Sequence, residues 1–376
     1  LRALVILLLA TIALYSVTIK VGHQVVKQPG VASFLTEKNP PEGFAYAIAN
    51  KAFEFPRDHG AHPEFRSEWW YFTGNTLSDR GREFGFQLTL FRFALTPQNA
   101  VSGSPWRRKN LYMGHFAISD IDRDVFHSFE RQSRAALNLA GTQPDPLKLW
   151  IRDWSFERID SQAETWRLRA RQDGFEIDLV AQAQRPITLQ GDNGLSKKNH
   201  IAGNASYYYS ITRLATAGTI STPQATHVVS GDAWFDHEWS TSALAEGQLG
   251  WDWFSLQLDD QREIMFYQIR DNDGRRDDAS HGVIVSPDGG KIILNADDLK
   301  FRVEKYWHSK ESGARYPAKW LIEIPDQQLR LSITPRISDQ EWRKNFTYWE
   351  GSVDVSGASN GRDIRGKGYV ELVGYE

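Results

Sequence analysis

Along most of the chain, apolar and polar residues alternate with a period of two, the pattern of strands whose successive side chains face opposite ways. Residues 165–170 show it plainly: Leu168 and Ala170 alternate with Arg167, Arg169 and Arg171, which predicts a strand with one wet face. Residues 68–73 and 84–93 flank the turn chemistry of 77–82 and predict a hairpin. Residues 250–258 and 263–270, separated by Asp259, Asp260, Gln261 and Arg262, predict a second one. Further strands are expected at 113–118, 175–180, 206–212, 282–285, 291–294, 319–324, 328–333 and 368–373. Helical periodicity is nearly absent. Ser338 with Glu341 three residues on predicts one short capped helix at 338–342. The two hairpins echo each other, each opening on a Trp-rich strand and continuing as Arg-Glu, alternating apolar residues and Gln, at Arg82–Gln87 and Arg262–Gln268. Either two related halves or the general likeness of β-hairpins explains this. So many short strands are most simply closed into barrels, which removes exposed edges. The expected architecture is all-β, with two antiparallel β-barrel or sandwich-like units packed side by side.

The pattern changes at the N-terminus. Arg2 precedes an apolar run to about Ile19, which reads as a signal peptide or an uncleaved signal anchor over 1–22. A Pro/Gly-punctuated linker follows at 23–50. The Thr/Ala/Gly/Ser-rich stretch Ala215 to Thr226 reads as a turn or joint, dividing the body into 51–226 and 227–376. These segments predict an exported protein, periplasmic or tethered to the inner membrane and facing outward. Composition narrows the chemistry. With Cys 0 there is no disulfide, thiol nucleophile or Cys-based metal site, and an oxidising compartment poses no risk. Lys+Arg 44 against Asp+Glu 47, mixed along the chain, leaves no basic stripe for nucleic acid. The 14 Trp are clustered rather than spread: Trp69 and Trp70 sit in the first hairpin, and Trp234, Trp239, Trp251 and Trp253 crowd around the second.

The densest acid/base group lies among those rings, at 231–239: Asp232, Asp236, His237 and Glu238 between Trp234 and Trp239. In a strand, His237 and Trp239 share one face, and Asp236 and Glu238 share the other. A His against an aromatic wall suits acid/base work in an apolar cavity, and it also suits a hydrogen-bonded core His. A second cluster, His59, His62, Glu64 and Glu68, has metal-ligand residue types. Gly60 and Pro63 place it in a loop, and Arg57, Asp58 and Arg66 can order that loop over a barrel mouth without a metal. Tyr207 and Tyr209 share a face opposite Tyr208. No serine-hydrolase elbow, phosphate loop or dinucleotide fingerprint is present.

Five stretches together, at 55–74, 205–210, 233–239, 250–254 and 348–351, resemble the AttH-like family. This is a lipocalin-like group related to bacterial carotenoid 1,2-hydratases (hydroxyneurosporene synthases). The resemblance runs from about Phe55 to Gly374. It implies two tandem lipocalin-like β-barrel domains and an apolar cavity for an isoprenoid-like or lipid-like ligand. Hydratases of the group add water across an isolated double bond without a cofactor. An acidic residue protonates the alkene, with His, Trp and Tyr around the cation. His237 and Trp239 match the His-x-Trp element. The hydratases' Tyr/Asp pair aligns with Phe266 and Gln268, and Gln cannot protonate an alkene. Tyr267 keeps a hydroxyl, on the opposite face by alternation.

Three readings follow. The first is an exported binder of a hydrophobic molecule or lipid, for carriage or hand-over at the envelope; the resemblance suggests an envelope transporter as partner. Trp70, Tyr207, Tyr209, Trp239, Trp251, Trp253 and Gln268 would line its site. The second is a cofactor-independent hydratase or isomerase. His237 would be acid/base or positioner, Asp236 or Glu238 its partner or proton source, with Tyr267 as a further catalytic candidate, and Trp239, Trp251 and Trp253 would stabilise a cation. The third is a structural envelope protein whose rings fill both barrels.

Overall fold

The computed structural model describes residues 42–97, 110–242 and 244–375. The expected targeting segment lies outside them. Among the described residues, apart from four 3-10 turns of three residues each, the regular structure is entirely β, arranged as two antiparallel sheets. Among the described residues, no helix is long and apolar enough to cross a membrane.

The first sheet begins with the predicted hairpin, β1 (Ser67–Ser78) and β2 (Glu83–Ala94). It continues through β3 (Asn110–Asp120), β4 (Val125–Arg134), β5 (Ala140–Pro144), β6 (Leu147–Ile151) and β7 (Trp154–Asp160). Then come β8 (Thr165–Gln172), β9 (Phe175–Ala183), the short β10 (Thr188–Leu189) and β11 (Leu195–Lys197), and the long pair β12 (Ala205–Thr222) and β13 (Ala225–Ser240). The second sheet holds β14 (Gln248–Leu258), β15 (Glu263–Asp271), β16 (His281–Val285), β17 (Lys291–Asn295) and β18 (Lys300–His308). It ends with β19 (Arg315–Ile324), β20 (Leu329–Pro335), β21 (Glu341–Arg343), β22 (Thr347–Ser359) and β23 (Arg362–Leu372).

The strand orders explain the sequence echo. The first sheet runs β4-β3-β2-β1-β13-β12-β9-β8-β7-β6-β5, and the second runs β17-β16-β15-β14-β23-β22-β20-β19-β18. In each half a four-strand meander opens from the first strand, and that first strand pairs with the last. A short strand pairs beside each penultimate long one, β10 and β11 on β12 and β21 on β22. Each sheet curls round its own apolar core, as in two lipocalin-like barrels. A third apolar cluster, with Tyr71, Tyr208, Trp234, Trp253, Tyr267, Tyr348 and Tyr369, fills the seam between them. The approach there is close: a Cβ on Gly85 would stand 2.6 Å from the Tyr369 hydroxyl. Cross-seam bonds join Ser119 to Gln340 and Asn75 to Gly368.

Three sequence expectations need correction. The stretch Ala215 to Thr226 is no joint but the end of the β12–β13 hairpin, because β13 pairs along its length with β1 and β12. The change of sheet therefore falls between 240 and 248, not at 226. The linker is not free from residue 42 onward: Ala47 is buried in the first core, and the Tyr207 hydroxyl donates to the Ala49 carbonyl at 2.8 Å. No helix forms at 338–342; the segment leads into β21, where the buried Glu341 carboxylate accepts from Ser309 and Tyr316 instead of capping a helix.

Candidate functional site

Strand β13 carries two polar groups on its two faces. Ala233, Phe235, His237 and Trp239 point into the first barrel, and Trp234, Asp236 and Glu238 point into the seam.

Inside the barrel, His237 Nε2 and His62 Nδ1 lie 3.0 and 2.7 Å from Glu68 Oε1. Arg92 Nε donates to Glu68 Oε2 at 2.8 Å. His62 Nε2 reaches Asp58 at 3.2 Å, and Tyr209 bridges His237 to His59. The segment around 53–66 enters the barrel to build this network: His62 stacks on Trp239 at 3.7 Å, and Phe53 and Phe55 pack on Tyr209. Burial alone would raise the Glu68 carboxyl, but the Arg92 charge and the bonds from His237 and His62 hold it well below the usual carboxylate range. Burial would lower His62, and its bonds to Asp58 and Glu68 raise it instead. Burial wins at His237 and lowers it to about 4 despite Glu68. His62, Glu68 and His237 offer ligand atoms within 4.8 Å of one another. Each of those atoms already has a protein partner, and Arg92 puts a fixed positive charge beside them. The arrangement is a closed ion-pair network.

The seam face differs. There a cavity of about 90 Å³ is lined by Trp69, Tyr71, Gln87, Tyr208, Asp236 and Glu238 from the first half. Trp251, Trp253, Tyr267, Tyr348, Glu350 and Glu371 line it from the second. One water needs roughly 10–15 Å³ on this measure, so the space takes several waters or the reacting end of a larger molecule. Of its apolar walls, Trp69, Phe91 and Trp251 keep exposed surface and mark the way in.

Four carboxyls, Asp236, Glu238, Glu350 and Glu371, face this space. Asp236 accepts from Tyr208 and Trp234, each at 2.7 Å, and from Ser210. Burial nevertheless raises it to about 7, with the Glu238 charge adding. Glu350 and Glu371 are cross-strand partners. Glu350 is pushed well up by burial and then by the Glu371 charge; Glu371 is raised by burial and then by Glu238. Glu238 itself is paired with Lys198 at 2.8 Å. Gln87 Nε2 donates to Glu350 Oε2 at 2.7 Å, the Tyr71 and Tyr348 hydroxyls lie beside the same carboxyl, and Gln87 Oε1 has no hydrogen bond in the protein. Buried polar atoms left open in this way are costly unless something binds them.

The expected site residues therefore divide. Asp236, Glu238, Tyr267, Trp251 and Trp253 come together at the cavity. His237, Trp239, Trp70, Tyr207 and Tyr209 belong to the first barrel's core. Gln268 lines a separate surface hollow beside Arg276 and Tyr306. A single site joining His237 to Trp251 and Trp253 is thus corrected by strand alternation. Sequence reasoning missed Glu350, Glu371, Tyr71, Tyr208 and Tyr348 as cavity residues. Glu350 stands inside the Tyr348–Gly351 family word, and Glu371 alternates with Val370 and Leu372 on the last strand, which were the available signals.

Fold and site define a two-barrel protein with an acid-lined cavity at its seam. The chain belongs to the AttH-like family, whose model matches residues 46–375. An AttH candidate of Nitrosomonas europaea is 32% identical with a TM-score of 0.77, the match covering 89% of this chain and all (100%) of that one. Kievitone hydratase of Nectria haematococca shares the fold at 15% identity, with a TM-score of 0.66 over 89% of this chain and 97% of its own. Dehydratase asqC of Emericella nidulans is 22% identical over 152 residues, 37% of this chain and 41% of that protein, so the chain matches under half the length of this curated relative.

Proposed function

We propose that the protein is a cofactor-independent acid–base lyase, hydrating or dehydrating an apolar, alkene-bearing molecule whose reacting end enters the seam cavity. The observation that carries this is the set of Asp236, Glu350 and Glu371, carboxyls that burial pushes toward the protonated form near neutral pH beneath aromatic walls. A protonated carboxyl can give its proton to an alkene carbon, which an ionised one cannot. The resulting cation lies against Trp69, Trp251, Trp253 and Tyr71, whose ring faces stabilise positive charge. Water then adds to the cation and loses a proton to a base at the cavity, from which the proton returns to the acid. Dehydration is the same path reversed, and neither direction moves electrons to a second substrate. The open Gln87 Oε1, beside the Tyr71 and Glu350 oxygens, suits the reacting water. The hydratase and dehydratase names of the relatives support this class.

Carriage of a hydrophobic ligand is the second reading, favoured by the apolar mouth at Trp69, Phe91 and Trp251. It gives no reason for burying three acids. The apolar N-terminal run supports placing the protein outside the cytoplasm, which fractionation of expressing cells checks.

The test is incubation with kievitone and with carotenoids bearing isolated double bonds, in ¹⁸O-labelled water. Mass spectrometry should show products gaining one labelled water. Glu350→Gln and Asp236→Asn should each lower the rate about 100-fold or more. Tight binding of the panel with no conversion would leave the carriage reading.

A further inference from the structure

Burial favours the protonated form of Asp236, Glu350 and Glu371, so the reaction there calls for a base to take the proton from substrate or water. The structure offers one at the seam. His115 lies on β3 between Thr89 of β2 and Glu130 of β4, its cross-strand partners. Its ring stacks on Trp342 of β21 at 4.4 Å and meets the edge of Phe91 at 5.2 Å. His115 Nδ1 is 2.7 Å from the hydroxyl of Tyr348, which comes from the other sheet and lines the cavity. His115 Nε2 is 3.6 Å from Glu130 Oε2 and has no hydrogen bond in the protein. Glu130 is held in turn by Gln132 and by the exposed Asn345.

We propose that Tyr348, His115 and Glu130 form a base relay: the Tyr348 oxygen takes a proton from substrate or water, its own phenolic proton passes to His115 Nδ1, and the Glu130 carboxylate balances the imidazolium. This rests on the acid–base reading above. The logic is that of a hydroxyl, a base in hydrogen-bond reach and a carboxylate that orients the base. The 3.6 Å contact is of the kind that tightens when substrate binds. No bond but those to hydrogen changes in the relay, and its proton leaves through Tyr348 to a cavity water, which returns it to the carboxylate that protonated the alkene.

Electrostatics agree. Burial pushes the Tyr348 phenol well above 10, so a free phenolate is inaccessible and proton uptake must be matched by release to His115. Burial lowers His115, leaving it neutral and able to accept. Burial would raise Glu130, but its contact with His115 keeps it low and ionised. The titratable groups around the ring are Glu130, Tyr348 and, beyond Tyr348, Glu350; Phe91, Trp342 and Thr89 carry no charge. The second half supplies a control. His281 stands opposite Tyr267 as His115 stands opposite Thr89. Its Nδ1 bonds to the Ala279 carbonyl, and its Nε2 lies 3.5 Å from the Ser196 hydroxyl. Only one of the two matched histidines is joined to a carboxylate.

The experiment is ¹⁵N-histidine NMR of the whole protein, with His115→Gln to assign the resonance, alongside kinetics on whichever panel compound is converted. At pH 7 His115 should be neutral and protonated on Nε2, and Glu130→Gln should shift it toward the Nδ1–H form. His115→Gln and Glu130→Gln should each lower kcat about 100-fold with KM within about twofold. His115→Gln should also abolish the loss of activity on the acid side, where protonation of the imidazole removes the base. An Nδ1–H or charged ring at pH 7, or undiminished kcat in both variants, overturns the relay. If wild type converts nothing, the lyase reading fails and the tautomer alone decides the relay. If His115→Gln does not fold, Glu130→Gln at the half-buried end carries the test.

Discussion

Two polar clusters lie back to back across strand β13, one residue apart in sequence and opposite in character. His237 faces Glu68, Arg92 and His62, where every ligand-type atom is paired and the central carboxylate is ionised. Asp236 faces Glu350 and Glu371 across a cavity, where the carboxyls are pushed toward neutrality and Gln87 Oε1 has no hydrogen bond in the protein. Both groups are buried, so burial alone does not separate structural from reactive polar groups. What separates them is whether burial is compensated. The barrel network supplies a cation for its carboxylate and stabilises the fold as a unit. The seam withholds a cation from Asp236, Glu350 and Glu371 and gives Lys198 to Glu238 instead. The uncompensated side costs stability, which is the usual mark of a reactive site.

The sharpest way to break this contrast is to remove one carboxylate from each side. Glu68→Gln strands Arg92 and the two histidines in the core. It should cost about 3–5 kcal/mol, read as a fall in urea midpoint at pH 7. Asp236→Asn should do the reverse. A raised folded pKa means the acid's proton is bound more tightly when folded, so Asp236 favours folding at low pH and opposes it as pH climbs from 3.8 toward about 7. At pH 8 the Asn variant should be more stable by about 1–3 kcal/mol, a fraction of the roughly 1.4 kcal/mol per pH unit that a full shift would give. It should lose activity at the same time. A smaller effect concerns pH. Glu68, with its lowered pKa, stabilises above its ordinary value of 4.5, and this is lost as pH falls through the folded value. His237 adds to the loss, because the unfolded state takes up a proton below 6.5 and the folded state only near 4. His62, with its raised pKa, contributes most below 6.5 and fades as pH rises through its folded value. On acidification from pH 6 to 4, where His237 is the group that loses stability, hydrogen exchange should rise first in the first sheet, and further below pH 4.5 as Glu68 follows. The smallest expected change is Trp253→Phe, which removes the indole donor 3.1 Å from the Tyr208 hydroxyl, at about 1 kcal/mol in Tm-based stability.

Much of the fold was legible because strand alternation is local. The hairpins at 67–94 and 248–271 and the split of 234–239 into two faces follow from period-two patterning. Strands such as 125–134, 147–151 and 300–308 were not, because their charged and small residues blur the alternation. The site was half legible. Asp236 and Glu238 stood in a dense polar–aromatic word, but His237 and Trp239 in the same word suggested the wrong side as the reactive one. The decisive partners, Glu350 and Glu371, lie more than a hundred residues away in sequence and meet Asp236 only because each half closes its last strand on its first. Which face of β13 meets the other sheet is a tertiary fact, and no local pattern encodes it.

The central claim is that the seam carboxyls are protonated near neutral pH. Infrared difference spectroscopy between wild type and Glu350→Gln, and between wild type and Asp236→Asn, tests it directly. Glu350 should contribute a protonated-carboxyl C=O band at pH 7 that vanishes in its variant, and the Asp236 band should fade through about pH 7. Loss of carboxylate bands alone, in both variants at pH 6, would contradict the account.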